Sequence, residues 1–271
     1  FSRRNHGRRP TLGEVMMDTK NGYPSYYNRC FVLIGDPALT LAFPTYGIRV
    51  TEINGRPTSD SVNFRALDRV TITGEVLTAD STVMTDFNGA LTAVVLDSEK
   101  EITTLNNNRS GAYTYTDYPN TIHRGNTLVK DGRFTFSFIV PADISYSNRS
   151  GKMSLYAYDA TNGREANGAF RRYTVGGTAT DITRDTVGPE VRLLYLNDIT
   201  WRDGTNETPF FVAHVRDASG INITGSSIGH DITLTIDNNP ARSYNLNSYY
   251  ADRTDQPGEG VVRFSIPRLP A

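Results

Sequence analysis

An unbroken apolar run that ends in turn residues constrains this chain more than any other stretch. The run Phe31-Val32-Leu33-Ile34 stops at Gly35-Asp36-Pro37. A short run of this kind is typical of a strand buried on both faces, as in a parallel sheet. Residues 11–21 before it carry apolar side chains at helical spacing, which predicts a helix. The order helix, loop, buried strand predicts that residues 1–45 are the end of an α/β domain.

From Tyr46 onward the pattern changes to apolar residues at alternate positions, which predicts antiparallel strands. The Asp131-Gly132 pair between two such rows predicts a tight hairpin. We expect about seven strands in residues 46–177, which is typical of an immunoglobulin-like (Ig-like) β-sandwich. The predicted strands are residues 47–53, 69–77, 91–96, a row up to 129, 134–140, 153–157 and 169–175.

A long polar insertion, residues 101–128, interrupts this predicted sandwich. It contains three tyrosines together with His123 and Arg124 (Tyr113, Tyr115 and Tyr118). Loops of this length are uncommon unless they are functional or disordered. Two interpretations stay open: a contact surface built on tyrosine rings, or a strand-like excursion that packs on its own sandwich.

Residues 178–271 are predicted to form a second Ig-like sandwich after a Gly/Thr-rich linker at residues 176–180. The predicted strands are residues 191–196, 210–216, 231–237, 241–246 and 261–267. A sandwich of this class usually has about seven strands, so we expect this one to be truncated. Val262, Phe264 and Ile266 would then form an uncovered apolar stripe.

Charge and composition give no indication of a nucleic-acid or acidic-membrane partner, of a transmembrane segment or of a disulfide. The chain has 28 basic and 29 acidic residues and a net charge of -1, so nothing in its charge predicts nucleic acid or an acidic membrane as a partner. It has no apolar run of the length that a transmembrane segment needs. A single cysteine, Cys30, cannot form an intramolecular disulfide.

The reactive side chains show no catalytic or metal-binding pattern. A cysteine peptidase needs a thiolate beside a histidine, and Cys30 precedes the apolar run, where we expect an inert, half-buried thiol. The spacing of His6, His123, His214 and His230 fits no zinc motif; we expect His214 at a surface or edge. Asp217, Asn222, Asp252 and Asp255 lack the spacing of a calcium loop, and Asp217 more simply predicts an Asx turn. We therefore assign no catalytic, cofactor-binding or metal-binding residue.

Several blocks taken in order resemble the gingipain-type cysteine peptidases, and more narrowly the PorU-type sortases of the type IX secretion system. The blocks are Thr11-Leu12-Gly13-Glu14, Asn28, the run from Phe31 to Leu41, Leu194-Tyr195-Leu196-Asn197-Asp198, Asp217-Ala218-Ser219-Gly220-Ile221-Asn222 and Gly229-His230-Asp231-Ile232. The resemblance implies the end of a caspase-like domain followed by Ig-like domains. It implies export to the surface of a Gram-negative bacterium, at the outer membrane. It also implies that the catalytic Cys and His of the parent precede this chain.

Three functions remain open at this point. The chain is the C-terminal scaffold of a surface sortase that removes the signal domain of type IX cargo and transfers the cargo to lipopolysaccharide, with cargo and secretion subunits as partners. Alternatively, it is the stalk of a gingipain-like secreted protease, or a non-catalytic Ig-like adhesion module. A Cys and a His at the ends of two preceding strands would support the first two and exclude the third.

Overall fold

A computed structural model describes residues 9–41, 43–107, 109–180, 187–200, 205–225, 231–253, 256 and 258–269. The chain divides into two compact units, residues 1–44 and 45–271. The first unit contains helices α1 (Leu12–Gly22) and α2 (Tyr26–Cys30). Neither helix has the length and apolar character to span a bilayer. The predicted helix is confirmed, and α2 was not predicted.

Helix α1 begins where its sequence carries a capping box. The Thr11 hydroxyl accepts a hydrogen bond from the Glu14 backbone N–H, and the Glu14 carboxylate accepts one from the Thr11 N–H. These two bonds satisfy backbone donors that the helix leaves without an internal partner. The Leu12 and Gly13 N–H groups donate to the Leu39 and Pro37 carbonyls at 2.8 and 2.9 Å, which ties the helix start to the loop after the apolar run.

The predicted strand at residues 31–34 is wrong. These residues belong to no strand, and Phe31, Val32 and Ile34 are exposed by 63, 77 and 96 %. A strand exists only where a neighbour accepts and donates its backbone hydrogen bonds, and no described strand lies beside this segment. The run therefore forms an exposed apolar surface in this chain.

The described part of the second unit consists of β-strands and two short 3-10 helices (Pro240–Arg242 and Asn247–Tyr249), which confirms the prediction of a mostly β chain. The first thirteen strands are β1 (Tyr46–Ile53), β2 (Arg56–Pro57), β3 (Val62–Ala66), β4 (Arg69–Leu77), β5 (Gly89–Leu96), β6 (Lys100–Thr103), β7 (Thr114–Asp117), β8 (Thr121–Val129), β9 (Arg133–Ile139), β10 (Arg149–Ser150), β11 (Lys152–Asp159), β12 (Arg164–Phe170) and β13 (Tyr173–Thr178). The last six are β14 (Glu190–Leu196), β15 (Phe210–Arg216), β16 (Thr233–Thr235), β17 (Ser243–Asn245), β18 (Tyr250–Arg253) and β19 (Glu259–Ser265).

A single large sheet runs through this unit in the order β14-β15-β19-β18-β8-β5-β11-β12-β1-β4-β9. The last seven strands in this order begin with β8 and end with β9, and a tight turn joins these two strands. The sheet therefore bends back on itself. A separate sheet, β10-β13-β3, contributes Phe64 and Tyr173 to the same interior, where their rings stack at 4.4 Å between centroids.

The first core is the buried cluster formed by strands β1–β13. The predicted inward rows are confirmed by burial (Val70, Ile72, Val76; Phe134, Phe136, Phe138, Val140; Met153, Leu155, Ala157). Burying one such side chain contributes roughly 1.5–3 kcal/mol. The predicted strand over residues 169–175 is instead two strands, because the chain leaves the main sheet after Phe170 and joins β3 from Tyr173.

The predicted linker at residues 176–180 is also wrong for its first half. Strand β13 continues to Thr178, which pairs with Ala66 of β3. Gly176 is required there because a Cβ atom would collide with the Asn148 side chain. The domain boundary between residues 177 and 178 stays a prediction.

The second core is the buried cluster formed around strands β14–β19. Val262, Phe264 and Ile266 are buried in it, so the expected uncovered stripe is absent from the described residues. Strand β19 has a hydrogen-bonded neighbour on each side, β15 and β18. The sequence did not predict β18, and β16 and β17 are shorter than predicted.

We predict that Gly132→Ala lowers the free energy of unfolding far more than Gly163→Ala. Both glycines have positive φ angles, 71° and 60°, a strain of about 1–2 kcal/mol for an L side chain. A Cβ at Gly132 would also strike the Met84 carbonyl, whereas one at Gly163 meets nothing. Overpacking adds roughly 1–3 kcal/mol. Urea unfolding of both variants measures the difference, and equal losses would contradict the prediction.

An ion-pair network closes the β11–β12 turn. The Asp159 carboxylate accepts hydrogen bonds from Asn162 Nδ2 (2.8 Å) and Arg164 Nη2 (2.7 Å). Arg164 Nη1 also donates to Asp86 at 2.7 Å. The hydrogen bonds from Asn162, and then those from Arg164, hold the pKa of Asp159 at about 2.

We predict that this network makes stability depend on acid. Because the folded pKa of Asp159 lies below its usual value, its contribution is present above about pH 4 and is lost as the pH falls toward 2. Asp159→Asn should therefore flatten the decline in unfolding free energy over this range. Asp80→Asn, which removes an exposed carboxylate, serves as the control. A decline of the same steepness in Asp159→Asn and wild type would refute the prediction.

Candidate functional site

His123 lies inside the first core rather than in a polar insertion. It belongs to strand β8, is fully buried and stacks on Phe138 and Phe136, with centroids 4.6 and 5.6 Å apart. The insertion predicted over residues 101–128 therefore ends earlier, at Thr121. In a strand, every second side chain lies on the same face, and this alternation places His123 on the same face as buried Val129. The alternation could therefore have identified His123 from the sequence.

The imidazole of His123 meets a carboxylate from the second core. His123 Nδ1 lies 2.5 Å from Asp252 Oδ2, and the Tyr250 hydroxyl donates to Asp252 Oδ1 at 2.5 Å. Burial raises the pKa of Tyr250, and the adjacent Asp252 carboxylate raises it further. Tyr250 therefore stays protonated and acts as a donor. Both oxygens of Asp252 have partners.

Backbone pairing surrounds this contact. Strand β18 runs parallel to β8, with Asp252 opposite Gly125 and Arg253 opposite Asn126. We call this pairing, together with His123, Asp252 and Tyr250, the seam. It joins the sheet of the first core to that of the second core.

Two further contacts join the chain after β15 to the end of β9 and the segment that follows it. Asn222 Nδ2 donates to Asp143 Oδ2 at 2.7 Å. Gly220, with φ of 90°, approaches Ile139 so closely that an added Cβ would lie 3.0 Å from the Ile139 Cβ. A glycine is therefore required where the two cores meet.

The seam lacks the geometry of a nucleophilic active site. In such a site, the second nitrogen of the histidine faces a hydroxyl or thiol within hydrogen-bond reach. Here His123 Nε2 is buried without a hydrogen-bond partner. Tyr250 donates to Asp252, not to the imidazole. The arrangement holds two cores together and has no group placed to attack a substrate.

The other candidate residues remain apart. Cys30 is exposed, not half-buried as predicted, because its helix presents it to solvent; its thiol lies 3.5 Å from the Tyr26 carbonyl. His214 is half-buried against Tyr195 in strand β15, which has neighbours on both sides, so it does not lie at an edge. His6, His230 and Asp255 lie outside the described residues.

The acidic candidates hold turns and strand contacts. Asp217 Oδ1 accepts from the N–H and hydroxyl of Ser219 at 2.8 and 2.7 Å, which forms an Asx turn. Within the described part of the chain, no group of three or more His, Cys, Asp or Glu side chains is placed to hold a metal ion. The prediction that the chain has no catalytic, cofactor-binding or metal-binding residue stays a prediction.

The tyrosine-rich segment forms a hairpin of strands β6 and β7, which pair only with each other among the described strands. Tyr113 and Tyr115 are exposed by 69 and 41 %. Tyr118 lies at its base, where its hydroxyl donates to Glu99 at 3.4 Å and the Arg171 guanidinium lies over its ring. The hairpin is thus a strand-like excursion with a tyrosine-bearing tip.

Comparison with solved structures shows a similarity that covers the whole chain. The chain is 37 % identical to PorU from Porphyromonas gingivalis, in the crystal structure of its dimeric latent form, with a TM-score of 0.55. The match covers 100 % of this chain and 26 % of PorU. No protein-family model matches, and no curated protein matches.

Two further structures match too weakly to indicate a shared fold. Spo0M, the sporulation control protein from Bacillus subtilis, is 11 % identical, with 82 % of this chain and 91 % of that one covered and a TM-score of 0.31. The α2-macroglobulin of E. coli is 15 % identical over 64 % of this chain and 10 % of its own, with a TM-score of 0.28.

We predict that Asp252→Ala lowers the free energy of unfolding by about 2–4 kcal/mol, because it leaves the buried His123 and Tyr250 without their acceptor. Glu190→Ala removes a carboxylate that pairs with Arg192 while 66 % exposed, so it should cost less than about 1 kcal/mol. Chemical denaturation measures both. A similar, small effect of the two substitutions would show that the seam contributes little.

Proposed function

The chain is a PorU-type C-terminal portion, and from this premise we propose that it is the scaffold of a surface cysteine peptidase of the sortase type. The parent removes the C-terminal signal domain from cargo of the type IX secretion system. It then joins the cleaved end to lipopolysaccharide at the outer membrane. The observation that carries the proposal is the 37 % identity to PorU over the whole chain.

The chemistry of this chain fits a supporting role. The described residues contain no thiol beside a histidine: Cys30 contacts Tyr26, and His123 contacts Asp252. Catalysis by a Cys–His pair therefore belongs to another part of the parent. The continuous sheet across two cores supplies a rigid support for it.

The exposed apolar run supports the same proposal. Phe31, Val32 and Ile34 have the composition of a strand buried on both faces, yet they are exposed in this chain. A neighbouring strand from a caspase-like domain would bury them and satisfy their backbone groups. The first unit would in this way attach the scaffold to the sheet of the catalytic domain.

A binding role is the second candidate. Exposed Tyr113 and Tyr115 on the β6–β7 hairpin provide contact area at low entropic cost. In the scaffold proposal, this hairpin contacts cargo or another secretion subunit. In an adhesion module without an enzyme, it would contact an external partner. In a secreted gingipain-like protease, it would belong to a stalk.

The test uses the parent protein in cells that export a reporter ending in a type IX signal domain. We expect deletion of residues 45–271 to stop removal of that domain, while Cys30→Ala leaves it unchanged. We also expect the 271-residue chain alone to cleave no such reporter. Cleavage by the chain alone that disappears in Cys30→Ala would contradict the proposal. Normal processing after the deletion would contradict it as well.

A further inference from the structure

A cleft of about 470 Å³ lies where strands β1 and β12 part. The two strands run parallel and pair only twice, with Tyr46 opposite Ala166 and Gly47 opposite Asn167. Beyond these pairs β1 continues beside β4, whereas the chain after β12 crosses to the separate sheet, where β13 begins at Tyr173. In α/β proteins, the crevice outside the carboxyl ends of parallel strands that diverge is a common ligand site. The volume of this cleft lies within the range for small-molecule sites.

Part of the cleft wall is apolar and accessible. Its lining includes four apolar side chains that belong to the first core or pack against it (Ile48, Val50, Leu155 and Phe170). Val50 and Leu155 are almost fully buried, whereas Ile48 and Phe170 are half-buried, so part of each of these two side chains stays in contact with solvent. An apolar group that entered the cleft would therefore remove apolar surface from water, which is favourable.

Every formal charge among the described lining residues is positive, because the cleft is lined by three arginines and by no Asp or Glu. Arg49 is compensated by Glu75, with Nη2 3.0 Å from Oε2. The Arg171 guanidinium lies over the Tyr118 ring, 5.9 Å from its centroid. Arg172 is exposed and has no hydrogen bond, ion pair or ring contact within the described part of the chain. The cleft therefore offers an accessible cation that these residues do not compensate.

A smaller neighbouring cleft of about 290 Å³ also has Arg171 and Arg172 in its lining. It differs in containing Asp60, whose carboxylate accepts from the Ser59 hydroxyl at 3.2 Å. A carboxylate repels a bound anion. An anion is therefore favoured in the cleft between β1 and β12, where the described lining has no acidic residue.

We propose that the β1–β12 cleft binds a small organic anion. Its apolar part lies against Ile48 and Phe170, and its carboxylate or phosphate pairs with Arg172. A guanidinium binds either group through two parallel hydrogen bonds. The aliphatic stem of an arginine also covers apolar surface while its charged head stays in water, so one side chain serves both parts of such a ligand. This inference does not depend on the proposed peptidase function.

The probes separate the two anionic groups and test each half of the ligand. Hexanoate carries the carboxylate and hexyl phosphate the phosphate. As control compounds, 1-hexanol has the apolar chain without the charge, and acetate and inorganic phosphate have the charge without the chain. Each is titrated into the full chain, and the Kd is taken from the backbone ¹H–¹⁵N shifts of Ile48 and Arg172. We expect saturable shifts with at least one hexyl anion and binding at least about tenfold weaker for every control compound.

One variant and a matched control make the test specific. Arg172→Gln removes the cation and should weaken binding of the hexyl anion at least about tenfold. Arg263→Gln removes the same charge from an exposed position on β19, outside both clefts, and should bind as wild type does. Thermal unfolding shows whether each variant is folded. The proposal is overturned if neither hexyl anion gives saturable shifts, if a control compound binds wild type as tightly, or if a folded Arg172→Gln variant binds normally.

Discussion

The bond between the His123 imidazole and the Asp252 carboxylate is the interaction on which the β part of this chain depends. It joins the two cores where backbone pairing between β8 and β18 extends over only two residue pairs. The Asp252 side chain is 16 % exposed, and a carboxylate that is largely withdrawn from water is costly unless its oxygens are paired. His123 and Tyr250 supply both partners. A group that would destabilise either core alone therefore favours their association.

The packing around the seam explains why this polar contact tolerates burial. Phe136 and Phe138 stack against the imidazole and exclude water from it. In such surroundings the hydrogen bonds are electrostatically stronger than in water. The same exclusion leaves His123 Nε2 buried without a hydrogen-bond partner.

Much of the fold could be predicted from the sequence. Wherever one face of a strand is covered, apolar and polar residues alternate along it, and this alternation shows which residues are buried. Strand β4 was predicted correctly for this reason, and the Asp131-Gly132 turn was predicted from its residue types, which tolerate the positive φ angles of 50° and 71° found there. The run at residues 31–34 failed because its burial depends on a sheet that these residues do not contact in this chain. Strand β18 was missed because it carries Tyr250 and Asp252, whose polar atoms bond each other, while Asp252 also bonds His123 across the seam. No periodic pattern of apolar residues records such a pair, so Asp252 and Tyr250 could not be predicted as part of the candidate site, whereas the alternation in β8 could have identified His123.

The most direct test of the seam is a double-mutant cycle between His123 and Asp252, with unfolding free energies measured for wild type, His123→Leu, Asp252→Ala and the double variant. If the two side chains stabilise the fold through each other, the two single variants together lose more unfolding free energy than the double variant does. The difference, the coupling energy, should be at least about 1.5 kcal/mol. Losses that add to within about 0.5 kcal/mol would contradict the central role of this contact.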